Sequence, residues 1–232
     1  MIKITYLDHS GFVVETEDRF LIFDYLRGDL LSHISKNKSI YVFVSHGHYD
    51  HYNHEIFYLL EEYLVFYILS EDVRETAEKH ARSQKAFVLP EGKYKISDME
   101  VRTLKSTDEG VAFCIVTNNR HIYYGGDLNW WKWRGESDAY NSAMERNYKK
   151  EISKIAQETF DFAFLPLDKR QGEDYYLGFD YFMKHTNTRY GIPMHMWGNY
   201  ALAVELKERV ESKEYRERII VIERENQSFT LL

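Results

Sequence analysis

A layered α/β domain, with sheets covered by helices, is the fold class this sequence predicts. Two observations carry the prediction: β-branched and aromatic runs alternate with segments of helical spacing, and they do so in two comparable halves. The length agrees, since 232 residues suffice for one domain with a substantial core. A single domain over 1-232 is expected.

Taken in order, residues 3–7, 12–15, 20–23 and 40–44 read as strands, with a short helix over 29–34. Residues 55–63 and 71–82 have acidic starts and helical spacing, and the apolar run 64–69 between them reads as a strand. Strands follow over 86–89, 94–96, 99–104, 111–117 and 121–124. Their links carry turn residues, Pro90-Glu91-Gly92 and Asn118-Asn119-Arg120, which suggest antiparallel hairpins. A long helix over 140–159 carries opposite charges at helical spacing, such as Glu145 with Lys149, and reads as a solvated face. The chain closes with strand 160–165, helix 175–185, strand 190–194, helix 201–211 and strand 219–223.

Composition narrows the function. With 44% hydrophobic, 16% aromatic and 29% charged residues the chain is of globular type. The net charge of −7 argues against a polyanion partner, which is bound through clustered Lys and Arg. A small-molecule substrate is expected, with no nucleic acid and no membrane partner; a homo-oligomer is left open. Cys114 is the single cysteine and lies in an apolar segment, so it reads as a buried, inert thiol in a reducing compartment. No basic leader with an apolar core precedes the first strand, and the most apolar window, 56–69, is broken by Glu61 and Glu62. A cytoplasmic protein is expected.

The chemistry concentrates in Ser45-His46-Gly47-His48-Tyr49-Asp50-His51, directly after the apolar run that ends at Val44. Loops leaving strand ends are where sites are built. With only Gly47 between them, His46 and His48 can turn both rings to one side and hold one cation. Asp50 and His51 diverge from that pair and suit a second cation. Two adjacent metals can clamp both the attacking hydroxide and the oxygen that gains charge in a hydrolysis. An isolated histidine is more often an ordinary loop residue; four ligand types within six positions reverse that balance.

The pattern His46-x-His48-x-Asp50-His51 resembles the signature of the metallo-β-lactamase superfamily. The resemblance implies a four-layer αββα sandwich, a one- or two-metal centre at one edge of the sheets, and metal-activated water as nucleophile. It assigns a metal-bridging role to Asp127 in Tyr124-Gly125-Gly126-Asp127, although Gly-Gly-Asp alone is ordinary turn punctuation. It assigns the last histidine ligand to His195, after Ile192-Pro193-Met194. The second metal would then see Asp50, His51, His195 and Asp127.

The chain departs from the family where a further histidine is usual, ahead of a glycine and a strand: it has Ser106-Thr107-Asp108-Glu109-Gly110. Asp108 either replaces that histidine, giving a two-His, one-carboxylate site suited to iron or manganese, or only shapes the turn. Asp8-His9-Ser10-Gly11 resembles a segment entering the site in the lactonase-like branch, so His9 is a candidate to line the pocket or assist proton transfer beside Asp50. Asp24, after Leu21-Ile22-Phe23, matches a structural aspartate of the fold and is expected behind the ligands. Trp130, Trp131 and Trp133 are candidates for an aromatic wall or for core, and Lys132, Lys169 and Arg170 for anion contacts or plain surface.

The leading expectation is a metal-dependent hydrolase acting on an ester, lactone or phosphodiester. Its cofactors would be one or two divalent metal ions, zinc ahead of manganese and iron. An iron-dependent redox enzyme and a non-catalytic metal-binding or sensing member of the fold are the alternatives.

Overall fold

The computed structural model describes residues 1–80 and 85–231. The chain divides into two compact units, Met1–Pro90 with Arg224–Leu232, and Glu91–Glu223.

In the first unit the strands are β1 (Ile2–Asp8), β2 (Gly11–Glu15), β3 (Arg19–Phe23), β4 (Ser39–Val44), β5 (Val65–Ser70), β6 (Lys85–Leu89) and β13 (Gln227–Leu231). They pair in the order β13-β1-β2-β3-β4-β5-β6. The first three contacts are antiparallel, and those from β3 to β6 are parallel. Strand β4 is apolar and buried along nearly its whole length, as a parallel strand covered on both faces must be. Its Ile40, Val42 and Val44 pack with Phe57, Leu60, Tyr67 and Leu69 in one cluster. Because β1, β3, β4 and β5 run in one direction, their C-terminal ends share one edge of the sheet. The residues leaving that edge are His9, Asp24, the histidine loop and Asp72.

In the second unit β7 (Gly92–Ile96), β8 (Met99–Lys105), β9 (Val111–Thr117), β10 (Arg120–Tyr124), β11 (Thr159–Pro166) and β12 (Asn187–Met194) pair in the order β12-β11-β10-β9-β8-β7. The pairs from β7 to β10 are antiparallel, and β10, β11 and β12 are parallel. Strands β8, β10, β11 and β12 therefore also end at a common edge, where Asp108, Asp127, Asp168 and His195 emerge. Helix α3 (Asp138–Ser153) begins at Ser137, whose hydroxyl accepts from the Tyr140 N–H at 3.2 Å. Helix α4 (Leu177–His185) seats Phe182 against Tyr123 and Phe160. Its approach to β12 depends on Gly191, where a Cβ would come within 2.7 Å of the Phe179 ring.

The expected α/β class is found: two sheets with helices. Several local expectations need correction. The helix expected over 29–34 shrinks to one 3₁₀ turn, Leu31–His33, and that over 55–63 to α1 (Ile56–Leu59) followed by turns. The helix expected over 71–82 opens as a 3₁₀ turn, Glu71–Val73, and continues as α2 (Arg74–His80); residues 81 and 82 lie outside the described residues. Helix α3 stops at Ser153 because the chain reverses through Gln157 at φ 64°, its N–H held by the His185 carbonyl at 2.8 Å. Pro90-Glu91-Gly92 is no hairpin: β6 pairs with β5 in the first sheet, and β7 opens the second. The strand expected over 219–223 is reduced to a bridge between Ile219 and Gly191. The last strand is instead β13, whose weak alternation matters less than the edge of β1 it covers.

Cys114 is buried, and burial pushes its thiol up to about 12 against the lowering effect of Arg102. Among the described residues no helix is long and apolar enough to cross a membrane.

Candidate metal centre

In the first unit the histidine loop is organised by Asp24, which has no exposed surface. Its carboxylate accepts from the Ser45 N–H at 2.7 Å and the Ser45 hydroxyl at 2.5 Å, and meets His51 Nδ1 at 2.7 Å. The Ser45 hydroxyl, having donated to Asp24, accepts from His46 Nδ1 at 2.9 Å. Both rings are thereby set in the Nδ1–H tautomer, which makes Nε2 the nitrogen able to coordinate a cation. A histidine ligand oriented by a carboxylate behind it is the usual support of a metal site.

The loop is folded tightly enough to gather its donors. The His51 and Tyr52 N–H groups both donate to the His48 carbonyl at 3.0 Å, and the His46 ring lies 4.2 Å from that of His51 and 4.6 Å from that of His48. Asp50 reaches the other way: its Oδ2 is 3.5 Å from His9 Nε2, and ligand atoms of His9, Asp50 and His51 lie within 4.8 Å of one another. His9 occupies the β1–β2 turn at φ 47° and is buried beside His51. Asp72 fixes the loop from β5, accepting from the Gly47 N–H at 2.5 Å. Any side chain at Gly47 would crowd that contact, since a Cβ would sit 3.2 Å from Asp72 Oδ2 and 3.1 Å from Val73 Cγ1.

The second unit gathers its candidates from four separate loops. Asp127 is buried just past Gly126, itself at φ 49°, and its Oδ1 lies 3.5 Å from His195 Nε2. His195 Nδ1 is held by Asp168 Oδ2 at 3.1 Å, which repeats the arrangement of His51 on Asp24. Burial opposes ionisation of Asp168, but hydrogen bonds from His195 and Arg170 outweigh it and hold the carboxyl at about 2. Arg170 binds Asp168 through its backbone N–H at 2.8 Å and its guanidinium at 2.5–3.0 Å.

Asp108 is exposed at the turn after β8, with a carboxylate oxygen within 4.8 Å of one of Asp127. The turn itself is closed by Ser106, whose hydroxyl accepts from the Asp108 N–H at 3.1 Å and whose N–H donates to the Gly110 carbonyl. A network locks these loops together. The Thr107 hydroxyl donates to the Asn129 carbonyl at 2.6 Å, the Asn129 amide to Gln171 at 3.3 Å, and the Gln171 amide to the Trp130 carbonyl at 3.0 Å.

The tryptophans divide. Trp131 is buried, donates to the Asp127 carbonyl at 2.9 Å and stands edge-on to His195, so it is a core residue that borders the candidate ligands. Trp130 lies under the Lys149 ammonium of α3. Lys132 and Lys169 pair with Asp174 and Glu205 at the surface. Sequence reasoning missed Asp72 and Asp168. Asp72 looked like the acidic start of a helix; Asp168 had a usable signal, an acid at the end of a strand as with Asp127.

A beta-lactamase superfamily domain model matches residues 3–130. A search of curated proteins gives no match. Among solved structures, the chain is similar to Igni18, a metallo hydrolase from the archaeon Ignicoccus hospitalis: 17% identity over 100% of this chain and 99% of that one, TM-score 0.67. It is similar to the metallo-β-lactamase fold protein YhfI from Bacillus subtilis, at 13% identity over 99% and 100% and TM-score 0.67. It also resembles CmlA, a diiron β-hydroxylase from Streptomyces venezuelae, at 10% identity over 84% of this chain but 45% of that one, TM-score 0.58. At these identities the likeness is one of fold. The family match spans more than half of the 232 residues and contains the histidine loop, and the chain therefore belongs to the beta-lactamase superfamily.

Proposed function

We propose that the protein is a metal-dependent hydrolase of a small ester, lactone or phosphodiester, a single domain over 1-232 in a reducing compartment such as the cytoplasm. The observation that carries this reading is the repeated support of histidine by buried acceptors. His46 rests on Ser45, His51 on Asp24 and His195 on Asp168, each through Nδ1.

The nitrogen and oxygen donors suit one or two divalent cations, zinc ahead of manganese and iron. By the family pattern the residues that would hold metal are His46, His48, Asp50 and His51 in the first unit and Asp108, Asp127 and His195 in the second. A metal in such a site lowers the pKa of water towards about 7 and stabilises an oxyanion. Asp50 would orient the nucleophile while binding metal, and His9, 3.5 Å from Asp50, would receive or return the proton. Asp24 and Asp168 keep the rings in place throughout. The net charge of −7 supports a substrate other than a nucleic acid.

A second reading, redox chemistry at iron, is favoured by one observation: the carboxylate of Asp108 beside Asp127 where the family usually has a histidine, an oxygen-rich set suited to iron or manganese. Elemental analysis of the wild type beside Asp108→Ala tests both readings. Two zinc ions falling to one, with hydrolysis lost in Asp50→Ala and His51→Ala by roughly 10²-fold or more, is the expected result. Iron with oxygen consumption would move the assignment to redox chemistry; a metal content near zero would remove it from catalysis.

A further inference from the structure

The second unit holds an arrangement that metal binding does not require. The Trp131 and Trp133 rings stack nearly parallel, 5.5 Å apart at 5°. The Arg170 guanidinium lies 5.7 Å from the Trp133 ring and 4.8 Å over that of Trp197. Trp197 in turn stands edge-on to His195 at 5.8 Å. A core role does not explain Trp197, which is 44% exposed. Nor does local comfort, because both His195 and Trp197 take left-handed backbone, φ 62° and 51°, which is costly for residues with a Cβ. The chain thus accepts strain at two positions of three to set an imidazole and an exposed indole side by side.

Arg170 makes the indoles into a platform. Asp168 holds its guanidinium from one edge while the same carboxylate holds His195, so the cation and the candidate metal ligand share one anchor. The geometry points to a specificity subsite: Trp197, Arg170 and Trp133 bind a planar aromatic or conjugated group of the substrate and so place the adjoining bond beside His195. Such groups stack on indole and guanidinium faces, whereas a saturated ring of equal size offers no π face. This rests on the hydrolase reading for its use in catalysis, though not for binding itself.

The test has two arms. In the first, tryptophan fluorescence and equilibrium dialysis on the metal-free protein compare 2-naphthoate with decahydro-2-naphthoate, which share a charge and differ in planarity. The wild type is expected to bind the planar acid roughly tenfold more tightly, Trp197→Leu to lose roughly three- to tenfold of that, and Trp197→Phe to recover part of it. In the second, the metal-loaded protein is given p-nitrophenyl esters of the two acids; water adds at the acyl carbon and p-nitrophenolate leaves. Trp197→Leu should raise KM for the planar ester severalfold more than for the saturated ester, narrowing the ratio of their kcat/KM values. Equal binding of the two acids by wild type, or unchanged naphthoate binding in both Trp197→Leu and Trp133→Leu, overturns the subsite. Loss of all metal-dependent turnover would sink the hydrolase reading and leave the dialysis to decide the platform.

Discussion

Asp24 and Asp168 perform the same task in different surroundings. Each is a carboxylate with no exposed surface that leaves the end of a strand and holds a histidine Nδ1 27 residues further on. Asp24 spends its remaining capacity on Ser45, which is buried, and so supports two rings of one loop. Asp168 spends its own on Arg170, whose side chain is 55% exposed. One carboxylate is a closed interior support; the other connects a candidate ligand, His195, to the surface. Loss of the first should strand the buried donors of Ser45 and His51, and loss of the second should strand the single buried donor of His195 while leaving Arg170 to water.

Substitution tests that contrast. Asp24→Ala is expected to have the largest effect, lowering stability by about 1–3 kcal/mol through the stranded Ser45 and His51 donors and weakening metal binding by roughly 10–100-fold. Denaturant melts and chelator competition read the two quantities. Asp168→Ala should cost less stability, about 1 kcal/mol, while loosening metal by roughly tenfold. Equal losses in both variants would erase the distinction.

Smaller again is Asp72→Ala, which removes the acceptor of the Gly47 N–H. Because the contact is at the surface, about 0.5–1 kcal/mol of stability is at stake. In chelator competition one metal should leave earlier than the other, and Asp72→Asn, which keeps an acceptor oxygen, should restore the wild-type profile. At the end of the scale stands Cys114. Its thiol, pushed up to about 12 by burial, stays protonated below that pH, so alkylation of the native protein should be negligible at pH 8 and rapid in denaturant. Fast native alkylation would show that the second unit opens at that strand.

Much of the fold was legible because its strands are long apolar or alternating runs: β4, β9 and β11 fall within a residue or so of their expected bounds. The short elements failed. Residues 55–63 have helical composition but close only one helical turn before Leu60 and Tyr63 are drawn into turns. Strand β13 exists because β1 has an edge to cover, a fact absent from residues 227–231 themselves.

By itself the sequence determined what one loop can carry. Four potential ligands within six positions make that loop a candidate for holding a cation wherever it lies, and the apolar surroundings of Cys114 already implied its burial. Only the tertiary structure decided what stands behind the donors. That Asp24 meets Ser45 and His51, and that Asp168 meets His195, follows from β3 lying parallel to β4 and β11 parallel to β12, so that their ends coincide. Strand order is set by burying both faces of a sheet at once, a property of the packed chain that local propensity and spacing do not encode.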